Sequence, residues 1–136
     1  MENPIHLSVV TPENIVFEAP VEYVGVPGML GDFGVCHGHA TLLSSLRIGS
    51  LFYKVEGHTT HIFISGGFVD VTKSEVTVLA ESATPAELID VDRAAQAKER
   101  AEARLREKDA DIDVARAQAA LERALYRLQV AATYKS

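Results

Sequence analysis

The 136-residue sequence has one cysteine, no tryptophan and no glycine beyond Gly67. A single cysteine, Cys36, rules out an intrachain disulfide and points to a reducing compartment. No apolar run approaches the roughly 20 residues that span a bilayer. Met1-Glu2-Asn3-Pro4 is neither basic nor followed by an apolar signal core. Basic residues are scarce at first: residues 1–84 carry Arg47, Lys54 and Lys73 against nine acids. That imbalance argues against nucleic acid as a partner. Residues 85–136 carry ten charges of each sign, so the net charge of -6 belongs to the first part.

All nine glycines lie at or before Gly67, and only Pro85 follows Pro27. Glycine frees the backbone for turns and weakens helices, so its confinement separates turn-rich sheet from uninterrupted helix. The stretch Glu81 to Ala94 joins the two. Within it Pro85 cannot donate a backbone hydrogen bond and biases Thr84 away from helical angles. The expected fold is α+β: an N-terminal antiparallel β-sandwich over 1–84, then a C-terminal antiparallel two-helix hairpin over 85–136, with residues 85–86 as hinge. About 80 residues suffice for a small domain that folds alone.

Ile5, Leu7 and Val9 alternate on one face of a first strand. Thr11-Pro12-Glu13-Asn14 is turn chemistry, and Val21 to Val26 reads as a second strand. Leu51–Val55 and Thr59–Ile64 form a hairpin around Glu56-Gly57-His58. Phe68–Thr72 and Glu75–Leu79 form another around Lys73-Ser74. Many short strands at this spacing suit a sandwich or barrel. Ser65-Gly66-Gly67 is followed by a strand instead of a helix, which favours a bulge or close backbone packing over a phosphate loop.

Gly31 to Ala40 packs three glycines with His37 and His39. The His-x-His spacing suits a metal, as in a small cupin-type metalloenzyme, but no third ligand clusters with it. A tight loop is the better reading, and no metal site is expected. No nucleophile constellation appears either, since Gly-x-Ser-x-Gly is missing and Cys36 neighbours histidine only in sequence.

Leu88 to about Glu107 is filled with alanine, glutamate, arginine and lysine, all strong helix formers. Asp111-Ile112-Asp113 starts a second helix that runs to about Ala132, with acids placed as the helix dipole favours. The short connection Lys108-Asp109-Ala110 makes the pair antiparallel. The apolar stripe is thin: Leu88, Ala95, Leu105, Ile112, Ala119, Leu121, Leu125 and Leu128 carry most of it. Arg93, Arg100 and Arg104 are spaced by seven and four, and so are Arg116, Arg123 and Arg127. At about 100° per residue each triplet follows one line. Either each arginine pairs with an acid such as Glu122 or Asp113, or the stripes face each other across an anion.

Taken in order, nearly the whole chain resembles the ε subunit of bacterial F-type ATP synthase. The likeness rests on Val9-Val10-Thr11-Pro12, on Gly34 to Leu43, on Ser65 to Val71, and on Val76-Thr77-Val78-Leu79-Ala80. It implies a non-catalytic rotor subunit, peripheral on the cytoplasmic face of the bacterial inner membrane and not inserted in it. The implied partners are the γ subunit, the c-ring, and the α and β subunits of the catalytic hexamer. The implied role is to couple c-ring rotation through γ, with the C-terminal helices inhibiting ATP hydrolysis. Gly31, Asp32, His37 and Gly38 are similar to the loop facing the c-ring. Asp32 and His37 stand where glutamate and proline are usual.

No cofactor is required, but some members hold ATP as a regulatory ligand between the folded helices through Ile-Asp-x-x-Arg-Ala. Ile89, Asp90, Arg93 and Ala94 match that motif. Arg123 and Arg127 resemble the family's further arginines, and the resemblance implies Arg100 as an additional phosphate contact. Thr84 stands where ATP-binding members often carry an acid, and Asp92 adds negative charge nearby. The alternative is a freestanding ATP-sensing protein with no rotary partner.

Overall fold

A computed structural model describes residues 3–107 and 111–134. The expected interhelical connection at 108–110 lies outside them. Eight strands are followed by a single 3-10 turn and two helices. The strands are β1 (Ile5–Val10), β2 (Ile15–Val21), β3 (Tyr23–Val26), β4 (Phe33–Val35), β5 (Leu42–Val55), β6 (His58–Val71), β7 (Glu75–Ala80) and β8 (Ala83–Pro85). They form one sheet ordered β2-β1-β7-β6-β5-β3-β4, with β8 alongside β6. Val9 of β1 and Val35 of β4, far apart in that order, belong to one buried cluster, so the sheet wraps around its own core. All pairings are antiparallel except β1 with β7.

Alternation in β1 holds: Ile5, Leu7 and Val9 are fully buried. The stretch Val21 to Val26 is two strands, not one. Val21 pairs with Ile5, whereas Tyr23 pairs with Lys54, so the chain changes partner strands at Glu22. The hairpin around Glu56-Gly57 is far longer than its apolar alternation suggests, each arm running 14 residues. Glu56 and Gly57 both adopt positive φ (50° and 82°), as a two-residue hairpin turn with the strands' own twist requires. Ser65-Gly66-Gly67 does not end β6. A Cβ on Gly67 would sit 2.1 Å from the Leu79 carbonyl oxygen, so only glycine lets β7 approach there.

β8 continues the register of β7 along β6: Gly67 faces Ala80, and Ile64 faces Ala83. Ser65 N donates to Ser82 O (3.0 Å) across the gap. Thr84 is extended, and Pro85 closes β8 opposite Ile62. Ala86–Leu88 then form the 3-10 turn, with Ala86 buried. The segment between the two parts is therefore docked on the sheet.

Helix α1 spans Val91–Arg106 and α2 spans Val114–Tyr134. Their buried residues are not the leucines of the expected stripe. Leu88 and Leu125 are exposed, while Ala94 and Ala101 of α1, and Ala117, Ala124 and Ala131 of α2, are buried at seven-residue steps. Small side chains let the helices approach closely but bury little area. Docking on the sheet is equally economical: Val130 of α2, Phe63 of β6 and Ala86 form the buried contact, flanked by Ile48, Ile89 and Tyr126.

Candidate functional site

Past the 3-10 turn the chain stays extended through Ile89 and Asp90, then enters α1. Asp90 is the N-cap, its Oδ1 accepting from Arg93 N at 3.1 Å. Ala94 N donates to the Asp90 carbonyl at 3.0 Å. This fixes Arg93 in the first turn of the helix, on a cleft of about 390 Å³. Ile89, Asp90, Arg93, Ala94 and Arg100 line it from one side and Arg127 of α2 from the other. Six of the seven residues expected to hold ATP thus share one cleft. Arg123 does not line it but acts on Arg127 through its charge. Thr84 and Leu88 complete the wall.

The cleft is cationic: Arg93, Arg100 and Arg127 line it against the one carboxylate of Asp90. Arg127 is held below its ordinary pKa by burial first, then by the positive charges of Arg123 and Arg93. Its guanidinium carbon lies 4.5 Å from the centroid of Phe63, stacked on the docking contact itself. Among the described residues the ion pairs are Arg47–Asp32 and His6–Glu18, and none involves a helix arginine. Pairing of the stripes with local acids is therefore not what the fold adopts. Asp113, one expected partner, instead caps α2, accepting from Arg116 N at 3.0 Å. An anion between the stripes would remove the repulsion, and arginine forks match phosphate oxygens.

The loop from Gly31 to Gly38 lies on another surface. Gly31, Asp32, His37 and Gly38 are all exposed, and Gly38 N donates to Lys73 O at 2.8 Å. Met29, Leu30 and Leu43 nearby are exposed as well, Leu30 completely. Met29 N bonds to Ser45 O, which holds this apolar tip beside the start of β5. His39 Nδ1 is 2.7 Å from Ala40 O, and Cys36 is exposed. Among the described residues no three side chains are grouped to hold a metal ion.

One residue connects the two surfaces. Arg47 of β5 donates from Nη2 to Asp32 Oδ1 (2.6 Å), and from Nη1 to Tyr126 Oη of α2 (3.1 Å) and Ile48 O (2.9 Å). Burial works against its charge, but Asp32 and Tyr126 outweigh it and raise its pKa. Sequence reasoning missed Arg47, whose partners lie 15 and 79 residues away. Its one visible signal was being the first basic residue of the chain.

Two family descriptions cover the chain: the ATP synthase delta/epsilon chain β-sandwich domain over residues 4–86, and the long α-helix domain over 87–132. An ATP synthase epsilon chain from Nitratidesulfovibrio vulgaris is 55% identical over 130 residues, covering 96% of this chain and 97% of that one. The epsilon chain of Symbiobacterium thermophilum is 48% identical, covering 92% and 91%. A chain in the solved Euglena gracilis mitochondrial ATP synthase, containing OSCP, F1 and the c-ring, superposes with a TM-score of 0.81 at 27% identity. That match covers 98% of this chain and 83% of the other. The buried sandwich, the helical pair and these likenesses over nearly the full length agree, and the chain belongs to the ATP synthase epsilon-chain family.

Proposed function

We propose that this chain is a non-catalytic central-stalk subunit that couples rotation through its sandwich and regulates hydrolysis through its helices. The sandwich contacts γ, and its apolar tip at Met29, Leu30 and Leu43, beside Gly31 to Gly38, rests on the c-ring. The setting is the cytoplasmic face of the bacterial inner membrane. No helix among the described residues is long and apolar enough to cross it. The freestanding sensor reading gains no support, since the likeness to synthase subunits extends over both parts of the chain.

ATP is the ligand of the first cleft. The observation that carries this is the convergence of Arg93, Arg100 and Arg127, none in an ion pair among the described residues, on a cleft walled by Thr84 of β8 and by both helices. Docking rests on few apolar contacts, and burying one such side chain contributes about 1.5–3 kcal/mol. A ligand at about 100 times its dissociation constant adds about 2.7 kcal/mol to the state that binds it. The two quantities are alike, so ATP decides the hairpin's position. Release turns on the segment between β8 and α1. The released helices then enter the catalytic hexamer, where their arginines meet acidic β-subunit surfaces.

ATP titration with amide exchange on α2 tests this. ATP protects α2 in the wild type, and an Arg93→Ala, Arg123→Ala variant gains no such protection. Identical titrations for both proteins would remove the site.

A further inference from the structure

Laying residues 89–107 on residues 112–130 matches eleven of nineteen positions. Ile89-Asp90-Val91-Asp92-Arg93-Ala94 is repeated as Ile112-Asp113-Val114-Ala115-Arg116-Ala117, differing at one residue. Local structure repeats with it. Each aspartate caps its helix through the backbone nitrogen three residues on, at 3.1 Å for Arg93 and 3.0 Å for Arg116. Each aspartate carbonyl accepts from the alanine four residues on, at 3.0 Å in both helices. The buried alanines repeat as well: Ala94 and Ala101 correspond to Ala117 and Ala124.

The helices pack antiparallel, with Arg93 beside Arg127 at one end and Arg104 beside Arg116 at the other. Exchanging the two repeats therefore carries one end of the hairpin onto the other. The exchange sends Ile89, Asp90, Arg93, Ala94 and Ala97 to Ile112, Asp113, Arg116, Ala117 and Ala120, and Arg127 to Arg104. The structure holds a second cleft there. About 450 Å³ in volume, it is lined by all six of those counterparts and by Arg100, which borders both clefts. None of its lining residues comes from the sheet.

We propose that this second cleft is a binding site for a phosphate-bearing anion. Its guanidinium groups are those of Arg100, Arg104 and Arg116. Among the described residues none of the three is in an ion pair. The carboxylates are Asp113, engaged in capping, and Asp111. The cationic excess is thus about one charge, supplemented by the N-terminus of α2. Asp111 occupies the place that Leu88 holds in the first cleft, so an apolar wall is replaced by a carboxylate. The second site is consequently weaker than the first and reads phosphate without reading a base. The shared chemistry is a diphosphate group, whether free or carried by a nucleotide. The cleft's existence rests on geometry alone; comparison with a nucleotide site rests on the function proposed above.

The test is calorimetric titration of the full chain with inorganic pyrophosphate, ATP and GTP, followed in parallel by the amide signals of Ala94 and Ala117. In the wild type, all three ligands shift Ala117 with similar affinity, and ATP shifts Ala94 at lower concentration. Arg104→Ala, Arg116→Ala removes exposed side chains and loses at least about tenfold in the affinity read at Ala117, while the Ala94 response to ATP is unchanged. Arg93→Ala does the reverse. Ala117 unmoved in the wild type, or shifted equally in the Arg104→Ala, Arg116→Ala variant, would overturn the second site. Ala94 unmoved by ATP while Ala117 still responds would sink the nucleotide reading and leave the second site standing.

Discussion

The sandwich and the hairpin solve the same problem with different materials. In the sandwich, Ile5, Leu51, Ile62 and Val76 are fully buried in one continuous core. In the hairpin the buried residues are nearly all alanine, and its hold on the sheet is essentially Val130 and Ala86 against Phe63. One part is stable because of what it excludes from water. The other is held by few apolar contacts, and among the described residues its arginines form no ion pair.

The contrast can be broken most forcefully from the sandwich side. Leu51→Ala should cost about 2–5 kcal/mol, lowering the denaturation midpoint of the sheet, and of the helices with it. Equal loss of the helices alone would mean the sandwich does not carry the stability. Conversely, the main core contains no helix residue, so a chain ending after Leu88 should remain folded by circular dichroism.

Val130→Ala separates the two parts. Loss of two methyl groups costs about 1.5 kcal/mol at about 0.8 kcal/mol each, and a small contact cannot absorb it. Amide exchange should rise throughout α2 and stay low in β5 and β6. Uniform loss of protection in both would contradict independent docking.

Tyr126→Phe is milder, because it removes one hydrogen bond from Arg47 and keeps the ring beneath the guanidinium. About 1 kcal/mol of docking should be lost, again visible in α2 exchange. The smallest effect is at His61, whose pKa burial lowers. Its neutral ring meets Ser50 Oγ at 2.9 Å. Above the ordinary pKa of about 6.5 the folded and unfolded chains are alike in protonation. Below it the unfolded chain takes up a proton that the folded one resists, so stability falls with pH. His61→Gln should flatten that slope, measured as denaturation midpoints between pH 7.5 and 5.5.

Legibility follows the same division. Period-two alternation exposed β1, and the Glu56-Gly57 turn exposed the long hairpin, because both signals are local. The partner change at Glu22 was invisible, since it depends on which strands flank β3. The first half of β5 was missed because Leu42-Leu43-Ser44-Ser45 does not alternate, and pairing with β6 makes it a strand. In the helices, leucine drew attention from alanine, although close approach depends on the smaller residue. Spacing revealed the arginine stripes, and the resemblance to the ε family, not spacing, singled out Ile89, Asp90 and Ala94 beside them. The repeat behind them passed unnoticed because its second Ile-Asp opens a helix that already looked complete.

Strand β6 has one further consequence. Ile62 and Ile64 point into the sandwich while Phe63, between them, points at α2, and all three are buried. Such a stretch is dry on both sides only while the hairpin is home. Lifting the hairpin away would wet an aromatic ring on the sandwich surface, so burial of Phe63 favours the docked state. Phe63 is thereby a spring as well as a seat.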